Sequence, residues 1–150
     1  GSAHANNGSL LCALAVAVLW WRTRQWWYAV IPALAISLQA SVFVPATEIT
    51  GRQRPLVEHL DPAPPTSSFP SGHMGASTAL YVTFAVIAQR IERVWLRRLV
   101  TAVCLVIPLL VGFARVYRGM HHVSDVLVGA INGLVCAALA WLALRRRRER

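Results

Sequence analysis

Three short stretches of this chain hold residues able to handle a phosphoryl group. Pro70-Ser71-Gly72-His73 opens an apolar run from Met74 to Ala88. Ser71 is a favoured N-cap type, so a helix starting here aims free backbone N–H groups at whatever precedes it. Those groups and the helix dipole make an anion site, and Gly72 lets the backbone approach a ligand closely. His73 can exchange a proton near neutral pH. The second stretch, Thr47 to Pro55, contains Arg52 and Arg54, and the third, Ala114 to Asp125, contains Arg115, Arg118, His121, His122 and Asp125. Arg54 and Arg115 offer planar forks that match phosphate oxygens. His121 and Asp125 are four apart, so on a helix they share a face and the carboxylate can orient the imidazole. An oriented imidazole serves as nucleophile or base. The set amounts to a phosphoryl-transfer kit with no cluster of metal ligands.

The elements that position these residues belong to a membrane. The chain has 150 residues, 56% hydrophobic and 14% charged, with a formal net charge of +9. Soluble domains run nearer 45–50% apolar. All fifteen basic residues are Arg. A basic excess suits nucleic acid or a membrane surface. Here the arginines lie between long apolar runs and form no stripe, which favours the membrane and argues against a nucleic-acid partner. Cys12, Cys104 and Cys136 are odd in number and sit inside apolar runs, where they read as buried small hydrophobes.

In chain order, residues 1–8 are a polar N-terminal segment. Ser9 to Trp21 is an apolar run short of the roughly 20 residues a span needs. Trp26 to Ala46 is long enough, and the Pro- and Arg-rich segment Glu48 to Phe69 follows it. Loops of that length are often functional. Met74 to Ala88, Leu99 to Ala114 and Val126 to Leu144 are three further apolar runs, and Arg145 to Arg150 is a basic tail. The expectation is an all-α integral membrane bundle of about five transmembrane helices over residues 9–144. Arg22, Arg24, Arg90, Arg93, Arg97, Arg98 and the tail share one face, which the positive-inside rule makes cytoplasmic. All six Trp lie toward that side, as an interfacial belt would. The three phosphoryl-handling stretches then face outward.

The sequence resembles the type 2 phosphatidic acid phosphatase (PAP2) family, membrane relatives of the vanadium haloperoxidases. That family's pattern is Lys-x6-Arg-Pro, then Pro-Ser-Gly-His, then Ser-Arg-x5-His-x3-Asp. Arg54-Pro55 matches the end of the first part, Pro70–His73 the second, and Arg115, His121 and Asp125 the third. Thr47 stands at the family Lys position, Ala114 stands where the family has Ser, and the family's six-helix core is expected here without its first helix. The resemblance covers roughly Trp26 to Leu144.

It implies a membrane lipid phosphatase that needs no metal or other cofactor. His121 would attack phosphorus and form a phosphohistidine, oriented by Asp125, and His73 would protonate the leaving oxygen and then activate water. Arg54, Arg115, Ser71 and Gly72 would bind the phosphoryl oxygens, with Arg52 and Thr47 as possible auxiliaries. Phosphatidic acid, phosphatidylglycerol phosphate or an isoprenyl pyrophosphate would each fit as substrate, on the outer face of a bacterial cell membrane. The rival reading is a PAP2-like binding or transport protein with weakened turnover, kept open by Thr47 and Ala114.

Among the remaining polar residues, Glu58, His59 and Asp61 read as solvated loop residues, Arg118 as a headgroup contact and His122 as interfacial. Gly129 and Gly133 form a small-x3-small pair suited to helix packing. Asn132, polar and mid-span, is expected to make an interhelical hydrogen bond.

Overall fold

The computed structural model describes residues 27–62 and 65–148. The run Ser9–Trp21, the segment 1–8, Trp26 and Cys12 lie outside the described residues. Within them the chain is all-helical, with four helices and no strand: α1 (Trp27–Thr50), α2 (Gly72–Ala88), α3 (Val94–Tyr117) and α4 (Val123–Arg148). Three segments are long and apolar enough to cross a membrane, Val30–Thr50, Val94–Tyr117 and Val123–Leu144.

The transmembrane helix expected at the Met74–Ala88 run, α2, is shorter than a full span. Its 17 residues span only about 26 Å at 1.5 Å per residue, against a hydrocarbon core of about 30 Å. Packing gives the reason. Gly72, its first residue, lies against the Phe43 ring, seven residues and so about 10 Å before the end of α1. Helix α2 therefore begins well short of the C-terminal end of α1, and its start is committed to a pocket instead of to the membrane surface.

Helix α2 is also the hub, packed against α4, α3 and α1, while α3 and α4 barely meet. Tyr28, Ile31 and Ala35 of α1, Ala79 and Ile87 of α2 and Ala140 of α4 form the buried core. Helix α3 buries only Cys104, Pro108 and Gly112, one stripe at a spacing of four. Leu105, Val106, Leu109, Leu110 and Phe113 stay exposed. In water each such side chain would forgo about 1.5–3 kcal/mol of burial; against lipid tails the exposure costs nothing. The chain is an integral membrane helical bundle.

The small-x3-small pair sits at the α2–α4 crossing, as its spacing suggests. A Cβ at Gly129 would come within 2.5 Å of the Ser71 carbonyl oxygen, and one at Gly133 within 2.5 Å of the Gly75 carbonyl oxygen. Both obstacles are backbone, which cannot rotate away. Overpacking typically costs about 1–3 kcal/mol, so Gly133→Val is expected to lower the thermal unfolding midpoint in detergent by several degrees. An unchanged midpoint would mean the helices do not cross this closely. Asn132 makes the expected interhelical contact, its Nδ2 donating to the Gln39 carbonyl of α1 at 3.5 Å.

Candidate active site

Ser71 caps α2 as its residue type suggests. Its backbone is extended (φ −77°, ψ 105°) and its Oγ accepts from the Met74 N–H at 3.4 Å. That places His73 in the first turn. Arg115 comes from the last turn of α3, and its Nη2 lies 2.7 Å from His73 Nδ1 and 3.1 Å from Nε2. A guanidinium has no acceptor, so Arg115 donates to an unprotonated ring nitrogen of His73.

The two polar connections that carry the remaining residues are clamped together. Arg54 Nη1 donates to the Met120 carbonyl at 2.7 Å. Arg118 forks onto Asp61, and Leu60 N–H donates to the Arg118 carbonyl at 3.4 Å. Gly119 has φ +69°, and a Cβ there would meet Val57 at 2.7 Å. Only glycine fits such a left-handed residue under an overlying loop. Asp61 and Arg118 are thus partners in a clamp, not merely a solvated carboxylate and a headgroup contact. The hydrogen bond from Arg118 holds the Asp61 carboxyl below its ordinary value.

His121 and Asp125 depart from the expected helical pair. His121 lies before α4 begins at Val123, so the two do not share a helical face. The His121 Nδ1–Asp125 Oδ2 distance is 3.9 Å, too long for a hydrogen bond. His121 Nδ1 instead donates to the Ser68 carbonyl at 2.7 Å, which leaves Nε2 with the free lone pair. Burial pushes the His121 imidazole below its ordinary value, opposed by the Ser68 hydrogen bond. The neutral, nucleophilic form is therefore favoured at pH 7.

Asp125, fully buried, accepts from Ser68 Oγ at 2.5 Å, Arg52 Nη1 at 2.7 Å and the His122 N–H at 2.9 Å. His122 Nδ1 stands 3.2 Å from the same carboxylate, so His122 is tied to the site's support and is not simply interfacial. Arg52 also donates to Ser124 Oγ at 2.9 Å. Arg52 is thus engaged by Asp125 and does not line the pocket that holds Arg54. Thr47 Oγ1 is buried with no hydrogen-bond partner among the described residues, and Thr47 is not on the pocket wall.

One pocket of about 420 Å³ gathers Arg54, Gly72, His73, Arg115 and His121. Its other wall is the stripe Ile36, Gln39, Ala40 and Phe43 of α1, spaced i, i+3, i+4, i+7 and so on one helical face. Its lining thus combines two imidazoles and two guanidinium groups with a largely apolar helical stripe. Among the described residues no three His, Cys, Asp or Glu side chains converge on a common point.

Ser68, Asp61 and the Met120 carbonyl were not legible in the sequence. Ser68 and Asp125 are 57 residues apart, and no local spacing links them. Ser-Ser-Phe directly before Pro70 was the nearest available signal, and it reads as loop.

Known proteins agree with this architecture. A crystal structure described as the first transmembrane PAP2 type phosphatidylglycerolphosphate phosphatase, from Bacillus subtilis, superimposes with a TM-score of 0.81 at 25% sequence identity, covering 97% of this chain and 71% of that one. The crystal structure of Aquifex aeolicus LpxE superimposes with a TM-score of 0.71 at 24% identity, covering 89% of this chain and 77% of that one, and at that identity shows the fold alone. No curated protein matches the sequence. The PAP2 superfamily profile matches residues 31–149, most of the chain and every residue of the pocket, and the protein is a member of the PAP2 superfamily.

Proposed function

We propose that this protein is a membrane lipid phosphatase that hydrolyses a lipid phosphate or pyrophosphate through a phosphohistidine on His121. The observation that carries the reading is the mixed lining of the pocket. His121, His73, Arg54 and Arg115 share it with an apolar stripe of α1, so a headgroup phosphate and the start of a lipid tail fit one cavity. Its extent along α1, from Phe43 to Ile36, is about 10 Å.

His121 Nε2, freed by the Nδ1 bond to Ser68, attacks phosphorus in line with the leaving oxygen. Arg54 and Arg115 hold the non-bridging oxygens and neutralise the charge that develops on them. The phosphoryl group takes over Arg115's donors and places negative charge beside His73, which favours a proton on its ring. His73 then delivers that proton to the alkoxide or phosphate leaving group. In the second half it removes a proton from water, which attacks the phosphohistidine and releases inorganic phosphate. Charge neutralisation falls to two arginines, so the reaction needs no metal.

The test is phosphate release from phosphatidic acid, phosphatidylglycerol phosphate and an isoprenyl pyrophosphate in detergent, with EDTA and with vanadate. Turnover of at least one is expected to survive EDTA. Vanadate, which adopts the five-coordinate geometry that His121 would bind, is expected to inhibit. Activity restored to EDTA-treated protein only by Mg²⁺ would overturn the metal-free mechanism. Tight lipid binding without release of phosphate would favour the binding-protein reading.

The pocket opens, on the same reading, to the outside of the cell membrane, because Arg90, Arg93, Arg97, Arg98 and the C-terminal end of α4 lie at the other end of the helices. A single cysteine at Glu58, in a background lacking Cys12, Cys104 and Cys136, is expected to label in intact cells, and one at Arg150 is not. The reverse pattern would invert the orientation and move the substrate to the inner leaflet.

A further inference from the structure

The buried carboxylate at the base of the site is arranged to hold a turn and not an imidazole. Asp125 makes no hydrogen bond to His121, which is 3.9 Å away. It grips both ends of the turn Ser68-Phe69-Pro70-Ser71 instead. Its side chain accepts from Ser68 Oγ at 2.5 Å, and its main-chain carbonyl accepts from the Ser71 N–H at 3.0 Å. The Ser68 N–H donates to the Arg52 carbonyl at 2.8 Å, and Arg52's side chain returns to Asp125 at 2.7 Å. Ser68, Ser71 and Asp125 are all fully buried. The turn therefore has no freedom at either end.

What the turn carries is the reacting pair. The Ser68 carbonyl accepts from His121 Nδ1 at 2.7 Å, and Ser71 caps the helix whose first turn bears His73. From this geometry we infer that Asp125 acts on His121 through Ser68. Ser68 is a positioning residue: its hydroxyl fixes the peptide whose carbonyl selects the His121 tautomer and aims Nε2 into the pocket. The same grip sets the distance between His121 and His73, because one carboxylate residue anchors the supports of both. This rests on the reading of His121 as the nucleophile.

A direct carboxylate–imidazole pair and a relay through Ser68 predict different mutant behaviour. If Asp125 oriented His121 directly, the Ser68 hydroxyl would be dispensable. In the relay it is not, and losing either partner breaks the same link. Mutations in one hydrogen-bonded unit are then strongly non-additive. Asp125→Ala breaks the link outright, because it removes both carboxylate oxygens, the one that accepts from Arg52 and the one that accepts from Ser68 and the His122 N–H.

The experiment measures kcat and KM for phosphate release from dioctanoyl phosphatidic acid in detergent micelles, using the full chain. The variants are Ser68→Ala, Ser68→Thr, Asp125→Ala, the Ser68→Ala/Asp125→Ala double and His121→Ala. Ser68→Ala is expected to lower kcat roughly 10- to 100-fold, the scale of a lost positioning contact, with KM within about threefold because the pocket walls are untouched. Ser68→Thr, which keeps the hydroxyl, is expected to recover most of the rate. The double variant is expected to be no slower than Asp125→Ala by more than about twofold, since the shared link is already broken. Wild-type kcat in Ser68→Ala beside a large loss in Asp125→Ala would overturn the relay, as would losses that multiply in the double. Should Ser68→Ala not fold, Ser68→Cys replaces it: a loss in Cys but not in Thr supports the relay, and equal rates in the two overturn it. Turnover remaining in His121→Ala would instead remove the nucleophile assignment beneath the inference, a result separable from any at Ser68.

Discussion

Replacing His121 with alanine is expected to reduce phosphate release by roughly 10,000-fold or more, the scale on which enzymes lose rate when a covalent nucleophile is removed, with the protein still folded. No other side chain in the pocket can take its place. His73 is engaged by Arg115 at 2.7 Å, and His122 points to Asp125 at 3.2 Å and lines no part of the pocket. His122→Ala should therefore cost far less, through a looser grip on Asp125. The wild-type pH profile supplies a second check. Attack needs neutral His121, and burial holds this group below the ordinary imidazole value. Activity should persist as pH falls through the ordinary range near 6.5 and be lost only below it. An acid limb of kcat/KM at or above that value, or equal losses in His121→Ala and His122→Ala at equal folded yield, would count against the nucleophile.

The second large effect belongs to His73. General acid–base groups contribute typically about 100- to 10,000-fold, so His73→Ala should fall in that range on a lipid phosphate, whose alkoxide leaving group needs a proton. With p-nitrophenyl phosphate the leaving phenolate is stable without one, and the loss in the first chemical step should shrink by at least about tenfold, since Brønsted dependence fades as the leaving group improves. Burst kinetics separates that step from hydrolysis of the phosphohistidine, where His73 is still required. Phosphohistidine should then accumulate in His73→Ala, detectable as acid-labile, alkali-stable phosphate on the protein. Identical losses on both substrates, with no trapped phosphate, would assign His73 to binding and leave the proton to another group.

Residue order and type determined a good deal about this protein. Apolar runs broken by arginines identify a membrane bundle because lipid tolerates no unpaired backbone and few charges. Local rules also worked where the contact is local, as at the Ser71 cap, whose partner Met74 is three residues away. The Gly129–Gly133 pair behaves as its helical spacing requires. Three motifs at one end of the bundle bring His73, Arg54, Arg115 and His121 to one pocket.

Only the tertiary structure decided what supports those residues. Four-residue spacing suggested that Asp125 orients His121, but the helix begins at Val123, and outside a helix that spacing carries no geometry. The carboxylate is met by groups from three separate stretches, Ser68, Arg52 and His122, the first two 57 and 73 residues away. Arg52 illustrates the same limit. Two residues from Arg54, it was a natural auxiliary for phosphate, yet the segment is irregular, so that spacing fixes no common face. A buried carboxylate without a cation is costly, so Arg52 serves Asp125 while Arg54 faces the pocket. The length of α2 was likewise beyond the sequence, because hydropathy records which residues are apolar and not where, beside Phe43, their helix begins.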